Sequence, residues 1–206
     1  MEALLLRKEY ESSTDHDQGA SELLRRVGVK APSTITVAAV DDEGTSVAAT
    51  FSAGYGSGVI PAGTGLLMNN SLGEIELLAS GFGELEPGER MLSNMAPTAA
   101  RSDRDVIAIG SPGADRITSA LTVTLVRFLL SDDTLPEAIE HPRLHPESVD
   151  PVEIAAEMGL GLETDDPIRW YPEPHMFFGG VNSAGMIGGK LVSHADSRRV
   201  GSAKVV

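Results

Sequence analysis

Apolar and polar positions begin to alternate sharply at residue 34. Thr34-Ile35-Thr36-Val37-Ala38-Ala39-Val40 is rich in β-branched residues, Asp41-Asp42-Glu43-Gly44 has turn chemistry, and residues 45–52 (T-S-V-A-A-T-F-S) resume the pattern. Strand, turn and strand in that order predict a β-hairpin. A small-residue loop at 53–58 and a second turn at 61–65 lead to a short strand expected at Leu66-Leu67-Met68. Residues 71–102 carry no sustained periodicity, and so long a connection inside a domain usually carries function or disorder. Residues 105–110 (D-V-I-A-I-G) read as a buried strand. They run through Ser111-Pro112-Gly113-Ala114 into a helix expected over 115–130, with Ile117, Leu121, Leu125 and Phe128 on its apolar face. Shorter helices are expected at 136–140 and 151–158, and strands at 168–171, 176–178 and 190–194. This order predicts an α+β protein in layers rather than alternating βαβ units. Ahead of Thr34, residues 9–19 are polar and acidic, 21–27 have the pattern of a short helix stopped by Gly28, and Ala31-Pro32 imposes an extended entry.

Composition narrows the function. The 206 residues, 41% apolar and 22% charged, fit one soluble globular domain. The absence of cysteine excludes thiolate zinc sites, iron–sulfur clusters and a cysteine nucleophile. A net charge of −14 repels phosphate backbones and anionic lipid, and 4% aromatic residues leave few platforms for stacking bases. Neither nucleic acid nor membrane is therefore an expected partner. Residues 1–8 (M-E-A-L-L-L-R-K) are too short an apolar run for a signal peptide, so a cytoplasmic location is expected.

Candidate chemistry is sparse. His141 and His145 stand four apart, but Pro142 opposes the helix that would bring them together, and no carboxylate completes an HExxH pattern. The segment Gly54-Tyr55-Gly56-Ser57-Gly58 lacks both the dinucleotide fingerprint and the lysine of a P-loop, and reads as close backbone packing or a substrate-facing loop. Gly110-Ser111-Pro112-Gly113-Ala114-Asp115-Arg116 joins a buried strand to a long helix, where free amides can meet an anion or an oxyanion; an ordinary tight turn with Asp115 at the helix start is the alternative. Thr34 opens the first strand, where threonine is normally only a β-former.

Taken together, the ordered motifs resemble the small subunit of the γ-glutamyltranspeptidase family of N-terminal-nucleophile hydrolases. Residues 34–41 resemble the family opening T-T-H-x-S-V-V-D. Residues 63–74 (G-T-G-L-L-M-N-N-S-L-G-E) are similar to G-T-G-x-x-L-N-N-x-L-G-E, residues 92–98 (L-S-N-M-A-P-T) to L-S-S-M-x-P-T, and residues 110–117 (G-S-P-G-A-D-R-I) to G-S-P-G-G-S-R-I. Weaker echoes lie at 141–145 and 177–181.

The resemblance implies a four-layer αββα sandwich, with residues 1–33 as a linker or large-subunit tail and 34–206 as the small-subunit-like domain. It implies self-cleavage at Ser33–Thr34, after which the freed Thr34 amine activates the Thr34 hydroxyl. That hydroxyl attacks glutathione or another γ-glutamyl compound, and water, an amino acid or a peptide takes the acyl group. No cofactor or metal is implied. Ser52 matches the second hydroxyl beside the nucleophile, and Gly113 and Ala114 match the oxyanion pair. Glu74 and Ser71 match positions that meet the substrate ammonium, and Ser93 and Asn94 match those that bind its α-carboxylate.

There are departures. The family pattern T-x-N reads Ser52-Ala53 here, so an asparagine that contacts the ammonium is missing, and Thr34-Ile35-Thr36 replaces Thr-Thr-His. A large-subunit chain is the expected partner, because only 33 residues precede Thr34. The alternatives are a non-catalytic relative that binds a ligand or partner, and another amidohydrolase of the superfamily such as a cephalosporin acylase.

Overall fold

The computed structural model describes residues 34–74, 77 and 85–206. The helix expected at 21–27 lies outside the described residues. Thr34 and the described part of Ser52–Glu89 belong to one compact unit, and Ile35–Phe51 with Arg90–Val206 form a second.

The second unit is built on strand β4 (Val106–Gly110), buried at every position. It lies between β3 (Thr98–Arg101) and β8 (Asn182–Ile187), and β9 (Lys190–Ala195) completes an antiparallel sheet in the order β3-β4-β8-β9. Successive side chains of a strand point to opposite faces. Ile107 and Ile109 therefore join one core, with Ile117, Ala120 and Leu121 of helix α1 (Arg116–Leu130) and Leu135 and Ile139 of helix α2 (Leu135–Glu140). Buried positions of α1 recur at intervals of three and four, the spacing of one helical face. On β4's other face a Cβ at Gly110 would stand 2.2 Å from Thr36 Oγ1, so only glycine lets the first hairpin sit there.

That hairpin is β1 (Thr34–Val40) and β2 (Ser46–Ser52), turned at Gly44 with φ +80. A third sheet has the order β5 (Leu144–Val149), β6 (Val152–Glu157), β7 (Ile168–Tyr171), with β6 and β7 parallel. No helix among the described residues is long and apolar enough to cross a membrane.

Both hairpin strands, β4, α1, α2, β7 and β9 stand where the pattern predicts them, to within a residue or two. Three expectations fail. The helix expected at 151–158 is strand β6. Its Ala155 and Ala156 are small enough to be buried between two neighbouring strands, and pairing on both edges overrides alanine's helix preference. The strand expected at 176–178 is a single 3-10 turn, Met176–Phe178, closed by Gly179 at φ +86. Residues 66–68 form no strand; Met68 only exchanges backbone hydrogen bonds with Ser57 and Val59 at 2.9 Å each. Strands β3, β5 and β8 lack a readable period of their own.

Candidate active site

Antiparallel pairing brings the first residue of β1 beside the last residue of β2. Thr34 Oγ1 and Ser52 Oγ are 2.9 Å apart, and one step along the same face Thr36 Oγ1 and Thr50 Oγ1 are also 2.9 Å apart. The result is a ladder of hydroxyls on the face opposite the apolar side chains. The Gly54 amide donates to Ser52 Oγ at 2.9 Å. This uses one serine lone pair and leaves the serine proton free to be donated to Thr34 Oγ1. A donor so placed stabilises negative charge developing on the threonine oxygen.

In the same unit, the segment matching N-N-x-L-G-E turns back toward this point. Asn70 Oδ1 accepts from the Tyr55 amide at 2.7 Å, Ser71 opens a 3-10 turn (Ser71–Gly73), and Glu74 follows it with only 9% of its surface exposed. Ser71 is half-buried, and its amide donates to Asn69 Oδ1 at 3.0 Å.

The second unit carries the remaining candidates. Ser93 is exposed and its hydroxyl accepts from the Met95 amide at 3.2 Å; Asn94 beside it is half-buried. Gly113 and Ala114 form a corner at the start of α1 with φ of +146 and +55. Among the described residues neither of their amides donates to a protein acceptor. The corner is buttressed from behind. A Cβ at Gly113 would stand 3.1 Å from Gly179 Cα, and Ser111 Oγ donates to Pro112 O at 2.7 Å while accepting from the Gly180 amide at 3.1 Å. Arg199 holds the same segment through Gly179 O and Met176 O, and Arg116 stacks 4.8 Å over the Phe177 ring.

Ala114 is the one non-glycine residue with positive φ among those described. A Cβ in the left-handed region costs roughly 1–2 kcal/mol. Ala114→Gly is therefore expected to raise stability by about 0.5–1 kcal/mol, with the corner intact. Thermal unfolding of the two proteins checks this, and a lower midpoint for the glycine variant would show that the corner is unstrained.

Asp115 stands at the head of α1. The His145 ring, 3.6 Å away, and to a lesser degree the Arg116 guanidinium hold its carboxyl below the usual range, against the effect of partial burial. His145 is itself buried, and its Nδ1 lies 2.7 Å from Ser119 Oγ. His141 ends α2 and turns to Pro142 O, so the two histidines have separate surroundings.

The sequence places Gly54 and Ser111 in candidate segments without assigning either a contact of its own, and gives Asn70 no role. Asn70 lies inside the N-N-x-L-G-E motif, but its partner Tyr55 is fifteen positions earlier, and nothing in the intervening loop signals that pairing.

Residues 5–206 match the family profile described as Gamma-glutamyltranspeptidase. The chain belongs to the γ-glutamyltranspeptidase family. One family relative, the glutathione hydrolase proenzyme of Bacillus subtilis, is 31% identical over 96 residues, covering 46% of this chain and 16% of the relative. The chain thus spans about a sixth of that protein's length. Scoloptoxin SSD20 of Scolopendra dehaani is 31% identical over 187 residues, covering 82% of this chain and 94% of the toxin. The structure of a γ-glutamyltranspeptidase from Pseudomonas nitroreducens superposes with a TM-score of 0.66 at 23% identity, over 86% of this chain and all of that one. The fold is accordingly that of the family's N-terminal-nucleophile hydrolases, a mixed α and β protein of the αββα type.

Proposed function

We propose that the chain is the small-subunit part of a γ-glutamyltransferase and glutathione hydrolase with Thr34 as nucleophile. The observation that carries this reading is the hydroxyl pair Thr34–Ser52, 2.9 Å apart at the open end of the hairpin and polarised by the Gly54 amide. After cleavage of the Ser33–Thr34 bond, the Thr34 amine takes the proton of its own hydroxyl. The oxygen adds to the γ-carbonyl of glutathione or another γ-glutamyl amide, and the tetrahedral oxyanion is held by the Gly113 and Ala114 amides. Collapse expels the amine, which takes back the proton and leaves a γ-glutamyl–Thr34 ester. Water releases glutamate from that ester, and an amino acid or peptide amine instead forms a new γ-glutamyl amide. Glu74, with Ser71 nearby, faces the substrate ammonium, and Ser93 and Asn94 take the α-carboxylate. No metal or cofactor enters these steps.

A large-subunit partner belongs to the same reading. In it, residues 1–33 are the tail of the large-subunit region and 34–206 the small-subunit domain. Ile35, Val37, Val47 and Phe51 occupy one face of the hairpin, and each is more than half exposed. So contiguous an apolar face is the kind of surface a partner covers. Cleavage is tested by intact mass on the full chain, purified with any large-subunit chain from the same cells. A species beginning at Thr34 is expected. An unbroken Ser33–Thr34 bond in the partnered assembly would overturn the mechanism.

A second reading, a family member that binds without catalysis, has one observation in its favour: the asparagine of the family's T-x-N pattern is missing after Ser52-Ala53. Turnover that depends on Thr34 separates the two.

A further inference from the structure

Residues 110–117 depart from the pattern G-S-P-G-G-S-R-I at two adjacent positions: Ala114 stands where the pattern has glycine, and Asp115 where it has serine. The first change carries a conformational cost, because Ala114 keeps the left-handed φ of +55 that glycine adopts freely. The second does not supply the usual helix-start acid, since the Asp115 side chain makes no capping hydrogen bond to α1. Its carboxylate is held between two other partners. Oδ1 meets the Arg116 guanidinium, whose Nε donates to Phe177 O at 3.3 Å, and Oδ2 faces His145 Nε2 of β5 at 3.6 Å. The other ring nitrogen of His145 lies 2.7 Å from Ser119 Oγ, four residues along α1 and so on the same helical face as Asp115. The buried imidazole thus fastens β5 across the first turn of α1. The corner's carbonyls are also engaged: Gly113 O accepts from the Arg116 amide at 3.0 Å and Ala114 O from the Ile117 amide at 3.3 Å. Because Asp115 follows Ala114 directly, relaxing Ala114 to a negative φ would carry the carboxylate away from the His145 ring.

We propose that Asp115 is a positioning residue that compensates for the alanine at 114: clasped to His145 and Arg116, it holds Ala114 in the left-handed conformation that presents the Gly113 and Ala114 amides to a tetrahedral oxyanion. Asp115 touches no substrate and acts only through the backbone it follows. The inference rests on the proposed γ-glutamyl transfer for its catalytic consequence, whereas the coupling of positions 114 and 115 is independent of it. Half of the Asp115 side chain is exposed, so the clasp is a modest restraint, of the order of an exposed ion pair. That is sufficient, because the penalty of a Cβ in the left-handed region is itself small. Glycine at 114 carries no such penalty, and in the family pattern a serine suffices beside it.

A double-mutant cycle on the full chain in its partnered form tests this. Asp115→Ser is expected to lower kcat for γ-glutamyl-p-nitroanilide about fivefold or more. KM should change little, because the corner amides are needed most when the oxyanion forms and not when the amide substrate binds. In the Ala114→Gly background most of that loss is expected to disappear. Thermal unfolding reads the same cycle without substrate: Asp115→Ser should lower the midpoint by about 2–4 °C in the wild-type background and by clearly less in the Ala114→Gly background. Equal rate losses in the two backgrounds, no rate loss at all, or a loss that falls on KM overturns the inference and leaves the function standing. A partnered wild type without turnover overturns the functional reading instead, and the unfolding cycle then still decides whether Asp115 holds Ala114.

Discussion

Thr34→Ala is expected to abolish turnover of γ-glutamyl-p-nitroanilide, with kcat falling by about 10^4-fold or more, as removal of a nucleophile does when the rest of the site survives. It is also expected to leave the Ser33–Thr34 bond uncut. Thr34→Ser keeps the hydroxyl and the α-amine and should retain both reactions at reduced rate. Because the amine acts as base, activity is expected to fall with decreasing pH as a group of reference pKa about 7.7–8.0 becomes protonated. Folding should be little affected, since the alanine variant loses one hydroxyl pair, worth about 1 kcal/mol. Steady-state kinetics and intact mass on the same preparations check all of this. Equal rates for wild type and Thr34→Ala would remove Thr34 from the chemistry and favour the non-catalytic reading.

The second large effect is on stability. Arg143, Glu157, Asp196 and Arg198 form a buried double ion pair. Arg198 binds both oxygens of Glu157, at 2.8 and 2.6 Å, and reaches Asp196 at 3.2 Å, while Arg143 meets Asp196 at 2.7 Å. The same guanidiniums donate to the carbonyls of Ile139, His141 and Phe178, and the two carboxylates accept from the amides of Arg143, His175, Val181 and Arg198. The end of α2, β6, the 176–178 turn and the segment after β9 are tied at one point, just behind the glycines that support the Gly113–Ala114 corner. Burial loosens the Arg143 guanidinium's hold on its proton, and Asp196 opposes that effect. Asp196→Ala leaves the buried Arg143 guanidinium without its carboxylate, while Arg198 keeps Glu157, and is expected to cost about 3–5 kcal/mol. For a domain of this size that lowers the unfolding midpoint by roughly 10 °C. The double replacement Arg143→Met with Asp196→Leu should recover a substantial part, because it removes a desolvated charge together with its partner. A loss below about 1 kcal/mol in the single variant would mean that water reaches the cluster.

These two predictions stand at opposite ends of what was legible. The Thr34 role came from motif order: four short sequences in the right succession point to a nucleophile, a second hydroxyl and an amide corner. Nothing in the composition or spacing announced the tetrad. Arg143 and Asp196 are 53 positions apart, and charged residues in a sequence read first as solvated. The expectation of a helix at 151–158 failed for a related reason. V-E-I-A-A-E has acceptable helix propensity, and only the strands on either side make it a strand.

Local chemistry along the chain was enough for the hairpin with its Asp-Asp-Glu-Gly turn, the strand and helix that flank Gly113–Ala114, the Thr-Leu-Pro start of α2 and the family itself. Each depends on residues within one element or one turn of each other, where backbone sterics and hydrophobic period act directly. Contacts between distant positions were left to the tertiary structure: Glu74 and Asn70 closing over the bare Cα of Gly54, Thr36 packing against Gly110, alanines turned into a central strand, and four charges buried together. In every such case the deciding free energy comes from burial and partner geometry, which have no existence until the chain is folded.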